Sequence, residues 1–129
     1  MVKHSNADNQ MIKMKNKSEK VCPVQYSLDI LSGKWKLPIL HALHKASPKR
    51  FKELEREIEG ITPTMLTTQL RDLEKNGLIS REIFATVPPT VEYRTTELGQ
   101  TLKPLISAAG NFGKLTFKSF ALVLFWSIN

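Results

Sequence analysis

The stretch Phe51–Arg94 constrains the fold most, because its patterns follow the order helix, tight turn, second helix and two strands. In the first helix Phe51, Leu54 and Ile58 recur at i, i+3 and i+7, which places three apolar side chains on one stripe. The residues between them are mostly charged, so the other side of this helix is expected to face water. This succession predicts a helix-turn-helix followed by a β-hairpin.

A second helix is predicted over Thr62–Asn76, with clear signals at both ends. The Thr62 hydroxyl can cap the first free amides, and Pro63 falls at the first helical position, where its missing N–H costs nothing. Gly77 supplies the left-handed residue that commonly ends a helix. The apolar side consists of Leu66, Leu70 and Leu73. We therefore expect this helix to pack on a core and to leave its other side open.

The open side of the second helix carries hydroxyls, one amide and one guanidinium, with few carboxylates in its first two turns. These residues are Thr64, Thr67, Thr68, Gln69 and Arg71. Glutamine can pair bidentately with adenine and arginine with guanine, and each such pair contributes roughly 1–3 kcal/mol of discrimination between bases. A polar helix face taken alone is more often plain solvated surface. The helix before it and the hairpin after it favour readout of DNA bases.

Two strands are predicted after this helix, over Leu78–Phe84 and Thr90–Thr95, from their β-branched and aromatic residues. Pro88 and Pro89 lie between them and cannot continue a ladder of hydrogen bonds, so they are expected at the hairpin tip. In the second strand the alternating sets are Val91, Tyr93 and Glu92, Arg94. In the first they are Ile79, Arg81, Ile83 and Ser80, Glu82, Phe84, and the pattern leaves open which set faces inward.

Three motifs resemble the HxlR family of MarR-like winged-helix transcription regulators. They are LSGKWKLPIL, FKELEREIEGITPTMLTTQLRDLEKNGLISRE and VPPTVEYRTTELG, which lie within about Cys22 to Leu105. The resemblance implies an α+β, mainly α fold: a winged helix-turn-helix with a two-stranded wing and additional N- and C-terminal helices for dimerisation. It also implies a homodimer on a palindromic operator of double-stranded DNA, with the helix Thr62–Asn76 in the major groove. The wing Val87–Thr90 is then expected against the flanking backbone or minor groove.

Charge supports a polyanionic partner, although it does not locate the binding surface. The formal net charge is +7 and the pI is about 9.7, which favours association with DNA through counterion release. Residues 51–94 nevertheless hold six basic and eight acidic side chains, so phosphate contacts must come from a few placed groups. The predicted DNA contacts are Lys49, Arg50, Thr62, Pro63, Thr64, Thr67, Thr68, Gln69, Arg71, Arg81, Pro88, Pro89 and Arg94, helped by Lys34 and Lys36.

The chain of 129 residues, 41% of them hydrophobic, suits one small domain with tails. Residues 1–20 are polar and rich in lysine, which predicts a flexible basic tail. Residues 21–112 form the predicted winged helix-turn-helix domain, and residues 113–129 form an apolar extension. This extension either packs against a partner subunit or is a variant end. Because no segment approaches the roughly 18 apolar residues of a membrane span, and the start lacks a signal-peptide core, a cytoplasmic protein without membrane contact is expected.

Further helices are predicted on both sides of the central stretch. Pro23–Leu31 forms a short helix, and an apolar helix over Lys36–Lys45 is expected to be the spine of the core. After the wing, Thr95 or Thr96 can cap one long helix that Pro104 bends. Its apolar stripe consists of Leu98, Leu102, Leu105, Ile106 and Ala109. The surplus apolar surface of this helix predicts a dimer contact.

Cys22 is the only cysteine, so an intrachain disulfide is impossible. It directly precedes Pro23, which places its sulfur at a helix N-terminus, where free amides and the macrodipole favour the thiolate. A lone cysteine is otherwise often a small buried hydrophobe. The HxlR resemblance implies that a cysteine just before the first helix can sense quinones, aldehydes and other electrophiles. The sequence thus predicts a small electrophile or oxidant as effector.

Other classes of function find less support in the sequence. A thiol enzyme would need a base beside Cys22, yet no motif links a histidine to it. His41 and His44 lie three residues apart without a third ligand nearby, so neither a metal nor another cofactor is expected. A winged helix that serves only protein contacts remains an alternative, because fold does not fix function. The leading interpretation is a DNA-binding regulator without enzymatic activity, acting as a repressor.

Overall fold

The computed structural model describes residues 22–128, so the predicted basic tail, residues 1–20, lies outside the described residues. The chain divides into two compact units between Ser32 and Gly33. In the first, helix α1 spans Pro23–Leu31. It begins at the N-cap Cys22 with a proline at its first position, as predicted, and the Ser32 amide donates to the Leu28 carbonyl oxygen at 2.7 Å.

The second unit contains the expected helices and strands in the expected order, together with a two-residue strand before the helix-turn-helix and a separate short helix after the wing. Its elements are α2 (Lys36–Lys45), β1 (Lys49–Arg50), α3 (Phe51–Glu57), α4 (Pro63–Lys75), β2 (Ile79–Phe84), β3 (Thr90–Thr95), α5 (Glu97–Gln100) and α6 (Lys103–Ile128). Helices α3 and α4 form the helix-turn-helix, and β2 and β3 form the wing. Gly60, in the turn between these helices, has φ of +85°, a left-handed conformation that favours glycine.

The core of this unit is built where the apolar stripes of its helices meet. The largest fully buried side chains are Ile39, Leu40, Leu43, Leu54, Leu66, Leu73 and Ile79. Three of them lie on α2, which confirms the prediction that this helix is the spine of the core. Leu66 and Leu73 are the predicted inner side of α4. Burial of that side fixes which face of α4 remains open.

The sheet has three antiparallel strands in the order β1-β3-β2, whereas the sequence predicted a wing of two strands. Strand β1 was missed because two residues show no periodicity, and its pairing partner is remote: Lys49 lies opposite Tyr93. The register also shows which side chains of β2 and β3 share a face. Ile79 pairs with Thr95 and Arg81 with Tyr93, so Ile79, Arg81 and Ile83 share a face with Val91 and Tyr93.

The predicted single long helix after the wing is wrong, since two helices occupy this region. Thr96 caps α5 by accepting a hydrogen bond from the Gly99 amide at 3.1 Å. The amides of Thr101 and Leu102 then donate to carbonyls three residues back, which tightens and ends the helix. Pro104 has no N–H with which to restore the regular ladder, so the chain restarts as α6 at Lys103.

Helix α5 sits against the corner between α4 and β2. Gly77 ends α4 with φ of +74°, which confirms the predicted left-handed stop. The Thr96 amide donates to the Leu78 carbonyl oxygen at 3.1 Å, and His44 Nε2 donates to the Gly99 carbonyl oxygen at 2.8 Å. A Cβ atom on Gly99 would lie 2.1 Å from the Leu78 oxygen. This close approach requires glycine and joins α2, α5 and the base of the wing.

Helix α6 continues without a break from residue 112, the predicted end of the domain, into residue 113, the predicted start of the apolar extension. It exposes large apolar side chains along its length. Those near its end are Phe117, Phe120, Leu122, Val123, Leu124, Phe125 and Trp126. Between residues 120 and 126 they are 47% to 78% exposed. Among the described residues, no helix has the length and apolar character that a membrane crossing requires. Contact with another chain is one way to cover such a surface.

Candidate nucleic-acid interface

Helix α4 is fixed at its N-terminus and along its inner side. Thr62 accepts a hydrogen bond from the Met65 amide at 3.2 Å, which confirms the predicted cap, and Pro63 occupies the first position. Leu66, Leu70 and Leu73 are buried on the inner side. The outer side is therefore held rigidly and points away from the core. This is the geometry that a helix needs to enter a DNA groove.

The outer side of α4 presents an open face of mostly short or basic side chains with one carboxylate. Its exposed members are Thr62, Pro63, Thr64, Thr68, Arg71, Asp72 and Lys75. The hydroxyls of Thr68 and Thr67 donate to the carbonyl oxygens of Thr64 and Pro63, at 3.0 and 2.8 Å. Each hydroxyl proton is thus engaged within the helix. Thr68 can therefore offer a methyl group and a hydroxyl oxygen that accepts a hydrogen bond. These groups suit a thymine methyl and a base amino group.

Gln69 does not lie on this open face, contrary to expectation. Its side chain is half-buried, and its Oε1 is buried without a hydrogen-bond partner within residues 22–128. The cause is its angular position, since Gln69 lies three residues after Leu66 and four before Leu73. It therefore flanks the apolar stripe. Thr67 is also half-buried, on the opposite flank.

The predicted phosphate contacts differ in how free their charges are. Arg50 on β1 and Arg94 on β3 are exposed, and each lies on the face of the sheet that carries Glu92. Lys49, in contrast, has an 11% exposed side chain and an ammonium ion-paired with Glu57 on α3. A cation held in this way has to exchange partners before it can contact a phosphate. Arg50 and Arg94 are thus the better placed pair.

Arg81 and Lys36 both make ion pairs with carboxylates of α4. Arg81 Nε lies 3.5 Å from Glu74 Oε2, and Lys36 Nζ lies 3.5 Å from Asp72 Oδ2. Lys36 is buried, which is contrary to the prediction of a helper at the phosphates. Beside Arg81, burial raises the pKa of Tyr93, with Glu74 adding to this effect and the Arg81 and Arg71 charges opposing it. Tyr93 therefore stays protonated at neutral pH.

The wing tip is an exposed loop, as the two prolines predicted. Pro88 and Pro89 are exposed, and Val87 beside them is fully exposed. The Thr86 hydroxyl contacts the Pro88 carbonyl oxygen at 2.7 Å and the Thr90 hydroxyl at 2.9 Å. These two contacts hold the ends of the tip together. The loop can therefore present its apolar residues as one shaped surface.

Cys22 is a free, exposed thiol at the N-terminus of α1. The amides of Gln25 and Val24 lower its pKa, outweighing the small opposite effect of desolvation. The exposure excludes the interpretation of Cys22 as a buried small hydrophobe within this chain. A larger thiolate fraction makes a cysteine a better nucleophile towards oxidants and electrophiles. The position predicted from the sequence is thus chemically suited to modification.

The buried stripe, the open face of α4 and the wing define a winged helix-turn-helix protein. The profile of the HxlR-like helix-turn-helix family matches residues 30–119, and the chain belongs to this family. This confirms the resemblance found in the motifs.

Relatives and solved structures agree with this assignment. The chain is 47% identical over 93 residues to YdeP, an uncharacterized HTH-type transcriptional regulator of Bacillus subtilis, which covers 72% of each protein. The redox regulator HypR in its reduced form superposes with a TM-score of 0.72 at 39% identity, covering 78% of this chain and 98% of HypR. The reduced regulator YodB from B. subtilis gives 0.63 at 31%, covering 71% and 90%. The chain is thus a transcriptional regulator with a helix-turn-helix DNA-binding fold.

Proposed function

We propose that this protein is a homodimeric repressor that binds a palindromic operator and responds to electrophiles or oxidants through Cys22. The observation that carries the proposal is the open face of α4, where Thr64, Thr68 and Arg71 project from a helix locked by its buried leucines. Arg71 suits guanine, and Thr68 suits thymine or a base amino group. Arg50 and Arg94 supply phosphate contacts, and Pro88 and Pro89 approach the flanking backbone or minor groove.

The homodimer is supported by the apolar surface of α6. Leu105, Phe112 and Leu115 are 46% to 68% exposed on this helix, and burying such side chains favours association by about 25 cal/mol per Å² of apolar surface. A twofold dimer would present two α4 helices to successive turns of the major groove, about 34–36 Å apart. Sedimentation of the purified protein tests this, with a monomer at micromolar concentration as the contrary result.

DNA recognition is tested by selecting fragments from a random pool with the purified protein and sequencing them. The expected result is an inverted repeat whose half-sites are about one helical turn apart, with specific binding at least about 10³-fold tighter than binding to random DNA. Equal affinity for selected and random DNA would contradict sequence recognition. It would favour a winged helix that serves protein contacts.

Effector sensing is supported by the exposed Cys22 thiol with its lowered pKa and by the redox regulators HypR and YodB among the similar structures. A thiolate adds to an electrophile such as a quinone, or is oxidised to a sulfenic acid that condenses with a second thiol to form a disulfide and release water. Because the chain has one cysteine, the second thiol belongs to a small molecule or to another subunit. The test compares operator affinity before and after diamide or quinone for the wild type and Cys22→Ser. A response in the wild type alone supports sensing, whereas the same response in both variants refutes the role of Cys22.

A further inference from the structure

A carboxylate lies in the row of side chains that the open face of α4 presents. Thr64, Thr68 and Asp72 follow one another at intervals of four residues, so they form one row along the helix. The Asp72 side chain is 51% exposed. Phosphates approaching this row would meet a negative charge at its C-terminal end. Two unit charges of like sign a few ångströms apart repel strongly where water is excluded.

The cation that offsets this charge comes from a different element. Lys36 is the first residue of α2, and its Nζ lies 3.5 Å from Asp72 Oδ2. Its side chain is only 11% exposed, so the ammonium stands behind the carboxylate on the core side. With so little of its side chain exposed, Lys36 is poorly placed to contact a phosphate. A buried ammonium also requires such a partner.

The second carboxylate of the C-terminal half of α4 is neutralised in the same manner. Glu74 pairs with Arg81 of β2, at 3.5 Å from its Nε. Helix α4 itself has two basic and two acidic side chains and is therefore neutral. With Lys36 and Arg81 included, the same surface has two positive charges in excess. Within residues 22–128, Arg71 and Lys75 make no ion pair, so their charges are available to DNA.

We infer that Lys36 is a positioning residue for DNA binding, which neutralises Asp72 at the edge of the base-reading face and makes no contact with DNA itself. The inference rests on the proposed function and adds to it a residue that supports DNA binding without touching DNA. It differs from a phosphate contact in one measurable way. Loss of a phosphate contact persists whatever residue stands at position 72, whereas loss of neutralisation disappears when Asp72 is uncharged.

The test is a double-mutant cycle on the selected operator, measured by fluorescence anisotropy at fixed salt. Lys36→Met keeps the length of the side chain and removes its charge, so affinity should fall about tenfold. Asp72→Asn should bind at least as tightly as the wild type. The double variant Lys36→Met/Asp72→Asn should return to within about threefold of the wild type, since neither charge remains. Lys36→Arg should retain wild-type affinity.

Lys45→Met is the matched control, because it removes a lysine of the same helix that is paired with a carboxylate away from α4. Lys45 Nζ lies 4.0 Å from Glu57 Oε1 of α3. It should change operator affinity less than Lys36→Met does. Thermal unfolding of every variant confirms that the folded fraction is equal in the binding assay. A double variant that stays as weak as Lys36→Met overturns the inference and leaves the proposed function intact. A wild type without sequence preference overturns both.

Discussion

Replacing Gly99 by alanine is expected to destabilise the fold more than any other exchange of glycine for alanine in the described helices and turns. The added Cβ would lie 2.1 Å from the Leu78 carbonyl oxygen, whereas ordinary contact begins at 3.4 Å. Helix α5 would have to retreat by the difference, about 1.3 Å. That movement strains two hydrogen bonds, from Thr96 to Leu78 at 3.1 Å and from His44 to Gly99 at 2.8 Å.

The magnitude follows from these contacts. Overpacking in a close-packed site costs about 1–3 kcal/mol, and each weakened hydrogen bond costs about 0.5–1.5 kcal/mol. The free energy of unfolding should therefore fall by about 2–6 kcal/mol. For a domain of this size the melting temperature should fall by about 10 °C or more. Circular dichroism at constant protein concentration measures it, so that any subunit association affects all variants equally.

The same substitution at other glycines provides the controls. Gly110 lies within α6 with nothing within 4 Å of its added Cβ, so Gly110→Ala should stabilise the helix by about 0.5–1 kcal/mol. Gly77 also has free space but adopts φ of +74°, so Gly77→Ala should cost about 1–2 kcal/mol. The reasoning is refuted if Gly99→Ala melts with the wild type, or if all three variants lose equal stability.

Three predictions concern the DNA interface and the thiol. Arg71→Ala should weaken binding by about 1–3 kcal/mol on the selected operator and by less on random DNA. Gln69→Ala, at a half-buried position, should change neither binding free energy much. A gel shift that shows the reverse order would place base readout on Gln69. Arg94→Ala should weaken binding to all sequences and reduce the slope of log K against log salt by about one, while Lys49→Ala should not, because Lys49 is held by Glu57. Alkylation of Cys22 by iodoacetamide should remain fast at a pH below the ordinary thiol pKa, because its pKa is lowered and the thiolate persists there; a rate profile like that of free cysteine would contradict this.

The elements that the sequence predicted well carry their own local signals. Thr62 and Pro63 determine the start of α4 and Gly77 its end, and the spacing of the leucines determines its inner face. Strand β1 could not be predicted, since its two residues are ordered by pairing with β3, more than 40 residues away. The ion pairs of Lys36 with Asp72 and of Lys49 with Glu57 likewise join different elements, so they depend on how the helices and strands pack. These pairs decide which cations are free, which composition alone cannot show.

The predictions for Gln69 and for the helix after the wing differ from the structure for another reason, since local rules are sufficient for both. The angular position of Gln69 relative to Leu66 and Leu73 is fixed by helix geometry. Pro104 likewise signals a helix start at least as strongly as a bend within a helix. The spacing of the residues thus indicates a half-buried Gln69 and a new helix at Pro104, whereas residue type alone suggested an exposed Gln69 and one bent helix.

The wing tip is a part of this chain that can change length at little energetic cost. The last cross-strand pair joins Phe84 to Thr90, and only residues 85–89 lie beyond it. Doubling the length of a flexible loop costs only about 0.6 kcal/mol in closure entropy, and this loop packs no core residue. Insertions there can lengthen the wing during evolution while α4 and the core stay unchanged. In the proposed complex, a longer tip would contact a different part of the DNA that flanks the operator.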